Sequence, residues 1–189
     1  MRKYFVNEGF FENIDTPLKS QIFGFICADG NVYKNNLSIG LSIKDIKYLN
    51  EIKNSLKSEN SIKIYERDRN TQQSLCVLKV NSIKMFNDLI KNGCHPNKSL
   101  SLLFPEIKNY LIKDFIRGYF EGDGGIAQRK INGKIKYYGI SICGTELFCI
   151  SLKEYLCELA KINIKSIKIR KNGKIHCLFI DSQLNVLKF

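Results

Sequence analysis

The chain has 189 residues, 44% of them hydrophobic, enough for one sizeable core or two small fused ones. No stretch is apolar for long enough to cross a bilayer, and the N-terminus "MRKYFVNEGFFENIDTP" has neither an uninterrupted apolar run nor a small-residue cleavage site. Membrane and secretory classes are therefore set aside for an intracellular protein, of the cytoplasm or of an organelle matrix such as the mitochondrial one. Thirty Lys and Arg against eighteen Asp and Glu leave a net charge of +12, which favours a polyanionic partner; abundant Lys, Asn and Ile also fit an A+T-rich genome, so the placement of the charge has to decide.

In chain order, Thr16-Pro17 reads as a capping residue followed by proline at the first helical position, and the helix it opens ends at Gly30, expected as a left-handed cap. Leu37, Ile39, Leu41 and Ile43 alternate as in a strand; Ile46, Leu49, Ile52 and Leu56 then take helical spacing. "SIKIYERDRN" (61–70) and "SLCVLKVNSIKMF" (74–86) read as two further strands running into a helix. The pattern then recurs. "LIKDFIRGYFEGDGGIA" (111–127) is a second helix ending at Gly124, followed by alternation at Ile140 and Ile142 and by helical spacing at Leu152, Tyr155, Leu156 and Leu159. "SIKIRKNGK" (166–174) repeats Ser-Ile-Lys-Ile, and "IHCLFIDSQLNVLKF" (175–189) parallels 74–86. Each half thus reads helix, two strands, helix, two strands, helix, and two copies suggest a pseudo-symmetric pair rather than a solenoid.

The seven cysteines are scattered, with no C-x-x-C pair, and the two histidines each merely abut a cysteine. Reduced thiols serving as small core hydrophobes are expected rather than a zinc site. The first dozen residues carry no readable pattern.

Both repeat helices contain small residues one turn apart, Gly24 and Ala28 in the first and Gly118 and Gly122 in the second, and both finish on a carboxylate, Asp29 or Asp123. An interior glycine costs about 1 kcal/mol of helix propensity, so close packing must compensate. If the two helices meet through these flat faces, Asp29 and Asp123 lie side by side at helix C-termini, where the dipole disfavours negative charge. Such a pair calls for a cation, and oxygen ligands suit Mg²⁺.

"IFGFICADG" (22–30) and "IRGYFEGDG" (116–124), with "NGCHPNKSLSLLFPEI" (92–107) before the second, resemble the LAGLIDADG homing endonuclease family, in its single-chain, two-motif form. The resemblance covers about residues 15–189. It implies an α+β fold in which αββαββα is duplicated about a pseudo-two-fold axis, with the motif helices as central interface and two antiparallel sheets as a DNA-binding saddle. The halves are expected at 1–107, including the N-terminal extension and linker, and 108–189, lacking its last helix. Asp29 and Asp123 would be the metal ligands and catalytic carboxylates; Cys27 and Glu121 fill an earlier motif position that is not the essential ligand. Lys98 matches a basic residue that assists catalysis, and the second half stops at "NVLKF" before any counterpart. An apolar patch is expected near Val186, Leu187 and Phe189.

Phosphodiester hydrolysis needs an activated water and a stabilised leaving oxygen, which metals on paired carboxylates supply. Strand alternation turns Ser38, Ser42, Lys44, Lys63, Tyr65, Arg67, Lys168 and Arg170 outward. Segments read as loops add Lys34, Asn35, Arg69, Gln72, Gln128, Arg129, Lys130, Lys134 and Lys136. Arg, Asn and Gln read base edges while Lys neutralises phosphate. The expectation is a monomeric, metal-dependent endonuclease of double-stranded DNA from a mobile, intron-type element; an RNA-splicing maturase acting on intron RNA and a non-cleaving DNA-binding protein are the alternatives on the same scaffold.

Overall fold

A computed structural model describes residues 4–66, 74–131 and 134–181, with the backbone alone at 129–131. The fold is α+β: two four-stranded antiparallel sheets and, among the described residues, five α-helices. Helix α1 (Pro17–Asp29) has Pro17 in its first turn and its Lys19 N–H capped by the Thr16 hydroxyl, as expected. Strands β1 (Gly30–Tyr33) and β2 (Asn36–Ser42) form a tight hairpin whose turn residues Lys34 and Asn35 both have positive φ, 44° and 65°. That geometry suits the right-handed twist of the flanking strands. After α2 (Ile46–Ser55) come β3 (Lys63–Tyr65) and β4 (Leu75–Asn81), then α3 (Ile83–Lys91), capped by Ser82. The second half repeats this with α4 (Ile112–Asp123), β5 (Gly124–Ile131), β6 (Lys134–Gly144), α5 (Glu146–Leu159), β7 (Ile167–Asn172) and β8 (Ile175–Ile180). The sheets share one topology, β1-β2-β4-β3 and β5-β6-β8-β7.

Helices α1 and α4 pack along each other, and the small residues are the reason they can. A Cβ on Gly24 would overlap the Phe115 carbonyl, one on Gly118 the Gln21 carbonyl, and one on Gly122 would come within 2.5 Å of the Ala28 Cβ. The contact is tied by the Ser20 hydroxyl, which donates to the Leu111 carbonyl at 2.9 Å, and by Phe23 against Phe115 with centroids 5.8 Å apart.

Several expectations need correction. Gly30 and Gly124 are not left-handed caps: their φ values are −71° and −90°, because each helix turns directly into a strand. Glycine is needed there for closeness, since a Cβ would meet Ile26 or Phe120. Ile43 and Lys44 belong to a short 3₁₀ turn rather than to the strand. Ile64, which the alternation turns towards the core with Ile62, is instead 58% exposed, on the short edge strand β3. Residues 128–131 and 134–138, read as a loop, are paired strands of a long hairpin. Cys143 and Cys177, facing each other across β6 and β8, form a disulfide, and the other five cysteines are free. The first dozen residues are not idle: Val6, Phe10 and Phe11 are buried against the first half. Arg67, Arg69, Gln72, Val186, Leu187, Phe189 and the side chains of Arg129 and Lys130 lie outside the described residues.

Candidate nucleic-acid interface and metal site

Because α1 and α4 cross through glycine and alanine, their last residues, Asp29 and Asp123, line one cavity of about 310 Å³. Burial pushes the Asp29 carboxyl above the usual carboxylate range, and the nearby Lys98 ammonium pulls it back. Asp123 is raised first by burial and then by the charge of Asp29, while the neighbouring Tyr119 hydroxyl and the charge of Lys98 oppose the rise. Ionisation of each carboxyl is thus made costly by burial, a cost that a bound cation would offset.

Lys98 reaches the same cavity from the first half. Past α3 the chain turns through Asn97, at φ 57°, into a 3₁₀ turn over Lys98–Leu100. The Lys98 side chain is only 9% exposed, and its ammonium donates to the Gly30 carbonyl, one residue beyond Asp29. A buried ammonium needs such a partner and neighbouring negative charge. On the other side, Tyr119 stacks on Phe148 with centroids 4.3 Å apart and donates to the Cys143 carbonyl at 3.0 Å. Tyr119 went unremarked in the sequence; its counterpart in the first motif, Phe25, lacks the hydroxyl.

The earlier motif position behaves differently in the two halves. Cys27 is fully buried against Cys94, and burial raises its thiol well above normal. Glu121 accepts from Gln21 Nε2 at 2.9 Å and from the Tyr48 hydroxyl at 2.6 Å. It lines a second cavity of about 600 Å³, shared with Asp29, Asp45 and Tyr48.

Cross-strand register shows which residues share a face. Ser38 pairs with Lys79, Lys63 with Val77, and Ser42 and Tyr65 both with Leu75, so these side chains stand together opposite the buried Ile39, Cys76 and Leu78. Lys79 and Asn81 belong to this face too and were missed, although the alternation of 76–81 carries them. Lys168 and Arg170 share the outward face of the second sheet, with the Arg170 guanidinium over the Phe179 ring at 5.6 Å. Lys34 and Asn35 are exposed at the hairpin tip, and Lys44, Lys134 and Lys136 are exposed as well. Gln128 pairs with Tyr138 on the face that carries Ile140, so it does not join Lys168. Lys136 falls where the β5–β6 register shifts.

Among the described residues no three His, Cys, Asp or Glu side chains converge on a metal-sized point, and no helix is long and apolar enough to cross a membrane. No protein-family model matches the chain, and no curated protein matches it. Solved structures do resemble it. The N-terminal LAGLIDADG domain of DUF199/WhiA is 18% identical with a TM-score of 0.61, over 95% of this chain and 84% of that one. The homing endonuclease I-WcaI bound to its DNA recognition sequence is 18% identical with a TM-score of 0.60, over 92% and 80%. A variant of I-DmoI, in complex with its target DNA in the presence of 2 mM Mn, is 13% identical with a TM-score of 0.52, over 97% and 92%. The chain therefore has the LAGLIDADG fold.

Proposed function

We propose that the protein is a site-specific DNA endonuclease that cuts double-stranded DNA at a long asymmetric target, as an intron-encoded or similar mobile-element enzyme does. The carrying observation is the convergence of Asp29, Asp123 and the buried Lys98 where the two motif helices meet. DNA-bound endonucleases among the similar structures support the reading. Two non-identical halves, meeting near residues 107–108, allow one monomeric chain to read a target that is not a palindrome.

The residues fit a divalent metal. Two carboxylates driven upward by burial and, at Asp123, by mutual repulsion need positive charge, and Mg²⁺ is commonly held by one or two carboxylates with substrate phosphate and water completing its shell. Two protein ligands, the number that the described residues offer there, suit that division. When bound, Mg²⁺ would polarise the scissile phosphate and lower the pKa of an attacking water. Lys98 would supply a fixed positive charge to the phosphate as its own charge builds; being buried and already oriented, it need not reorganise. Ser38, Lys63, Tyr65 and Lys79 on one sheet, and Lys168 and Arg170 on the other, would hold backbone and base edges.

The test is incubation with supercoiled plasmid carrying the uninterrupted sequence that flanks the gene's own element, with and without Mg²⁺. Linear product that needs Mg²⁺ and disappears in Asp29→Asn supports the nuclease. Tight binding without cutting favours the second reading, a non-cleaving DNA-binding protein; the similar WhiA domain is described as a LAGLIDADG domain and not as an endonuclease. Splicing of an intron RNA in the absence of DNA cutting would instead identify a maturase.

A further inference from the structure

The two halves are alike in topology but not in what covers their helices. In the first half, residues 5–14 pack across α1, the end of α2 and α3. Phe11 is fully buried with its centroid 6.4 Å from that of Phe23, Phe10 lies beneath the Lys19 ammonium at 6.0 Å, and the Asn7 N–H donates to the Leu56 carbonyl at 2.9 Å. The segment also carries acid: Glu12 pairs with Lys84 at 2.8 Å.

Aligning Asp29 with Asp123 places Lys113 at the position of Lys19 and Arg117 at that of Phe23. The buried series Leu49, Ile52, Leu56 corresponds to Cys149, Leu152, Leu156. The counterparts of the residues that 5–14 touch, Lys113, Arg117 and Leu156, line a groove of about 740 Å³ between α4 and α5, which among the described residues is bordered by Phe104 packed on Tyr155 but is not filled. Its apolar lining includes Ile116, Leu156 and Leu159, with Leu159 43% exposed, and Lys113 and Arg117 stand at its edge. Among the described residues Lys113 makes no ion pair. Asp114 also lines the groove, and its buried Oδ2 has no hydrogen-bond partner. Leaving a buried acceptor unmet is costly, so the groove wants a donor as well as apolar side chains.

We propose that this groove docks a linear segment of a partner protein bearing two adjacent aromatic residues flanked by carboxylates, the chemistry that residues 5–14 bring to the other half. One ring sits under Lys113 as Phe10 sits under Lys19. The second stacks on the Arg117 guanidinium where Phe11 meets Phe23, replacing an aromatic pair by a cation–π contact. The flanking carboxylates pair with Lys113 and Arg117, and an N–H or hydroxyl of the segment donates to Asp114. The volume lies within the range of sites that enclose a compact ligand.

The probe is a fluorescein-labelled synthetic peptide of residues 4–15, YFVNEGFFENID, titrated against the full chain. Saturable binding is expected, weakened at least tenfold by Leu159→Glu and by Lys113→Glu in proteins of unchanged melting temperature, and lost when both adjacent phenylalanines of the peptide are replaced by serine. Binding that ignores both protein variants would mean that the peptide displaces residues 5–14 in the first half, and overturns the proposal. So does the absence of saturable binding, whether the groove is filled by residues 182–189 of the same chain or stays empty.

Discussion

Gly118→Ala adds one methyl group to the centre of the molecule. The new Cβ would overlap the Gln21 carbonyl oxygen and stand 2.7 Å from the carbonyl carbon and 3.0 Å from the Cα of the same residue, short of the 3.4 Å at which ordinary contact begins. All three atoms are helix backbone, so no rotamer change can make room and α1 must move away from α4. Helix propensity alone would gain about 1 kcal/mol from this change. Overpacking typically costs about 1–3 kcal/mol, and more where rigid backbone is struck; separation of the helices also loosens Phe23 against Phe115. A net loss of about 2–4 kcal/mol is expected, which for a chain of this size lowers the melting temperature by roughly 5–15 °C. Thermal and urea unfolding followed by circular dichroism measure it. Gly40→Ala is the control, since its Cβ would meet only Val77 at 3.6 Å, and it should change stability by less than about 0.5 kcal/mol. If Gly118→Ala matched that control, the motif helices would not meet as described.

Asp29→Asn and Asp123→Asn should each abolish Mg²⁺-dependent cutting with DNA affinity nearly intact; full cleavage by the double variant would refute the metal assignment. Because burial raises both carboxyls in the folded state, their ionisation destabilises the metal-free protein above the folded pKa, and the penalty fades as pH falls towards the ordinary carboxylate value near 4. Asp123→Asn should therefore melt higher than the parent at pH 8 without metal, and the gain should vanish by about pH 3.5; an equal gain at both pH values would mean that charge is not its origin. Lys98→Met should slow one strand's cut more than the other, so nicked circles should accumulate on supercoiled plasmid; loss of both cuts in parallel would count against a role confined to one phosphate. Lys79→Ala and Lys168→Ala should each lower the slope of log affinity against log salt by about one, across all sequences; an unchanged slope would remove that residue from the DNA face.

What could be read from the sequence was whatever repeats locally. The Thr16-Pro17 start, the small residues one turn apart and the alternation at 37–41 each impose a single geometry on their own segment, and each is found. Features set by distant partners were not legible. Nothing near Glu121 announces Gln21 or Tyr48, and nothing near Cys143 announces Cys177, because each pairing depends on how helices cross or how strands register. The outer part of the β5–β6 hairpin, 128–138, reads as a loop for a related reason: Gln128, Lys134, Ile135, Lys136 and Tyr138 are exposed, so burial imposes no alternation on them. Residues 5–14 went unread because their apolar side chains fill a cleft between helices, which demands shape but no periodicity.

The duplication is inexact at its most sensitive point. Around the Asp29–Asp123 pair, one cavity receives the Lys98 ammonium and the Tyr119 hydroxyl, with thiol and alkyl side chains at Cys27 and Ala28. The other receives Glu121, Asp45 and the Tyr48 hydroxyl, and no Lys or Arg among the described residues. Motif alignment shows that Cys27 and Glu121 are counterparts, as are Phe25 and Tyr119, so polar groups have been redistributed across the pseudo-axis while the helix crossing is kept. The backbone contact constrains Gly24, Ala28, Gly118 and Gly122, and leaves neighbouring side chains free to diverge, because they face different sheets. On the endonuclease reading, one scissile phosphate would meet the pre-placed Lys98 ammonium, and the other a neighbourhood of carboxylates in which Arg117 lies 3.4 Å from Glu121. Electrostatic stabilisation of developing charge is commonly the largest single contribution to such a reaction. The inequality of the two cuts would then be built into the interface itself, with Asp29 lining both cavities and Asp123 only the one that holds Lys98.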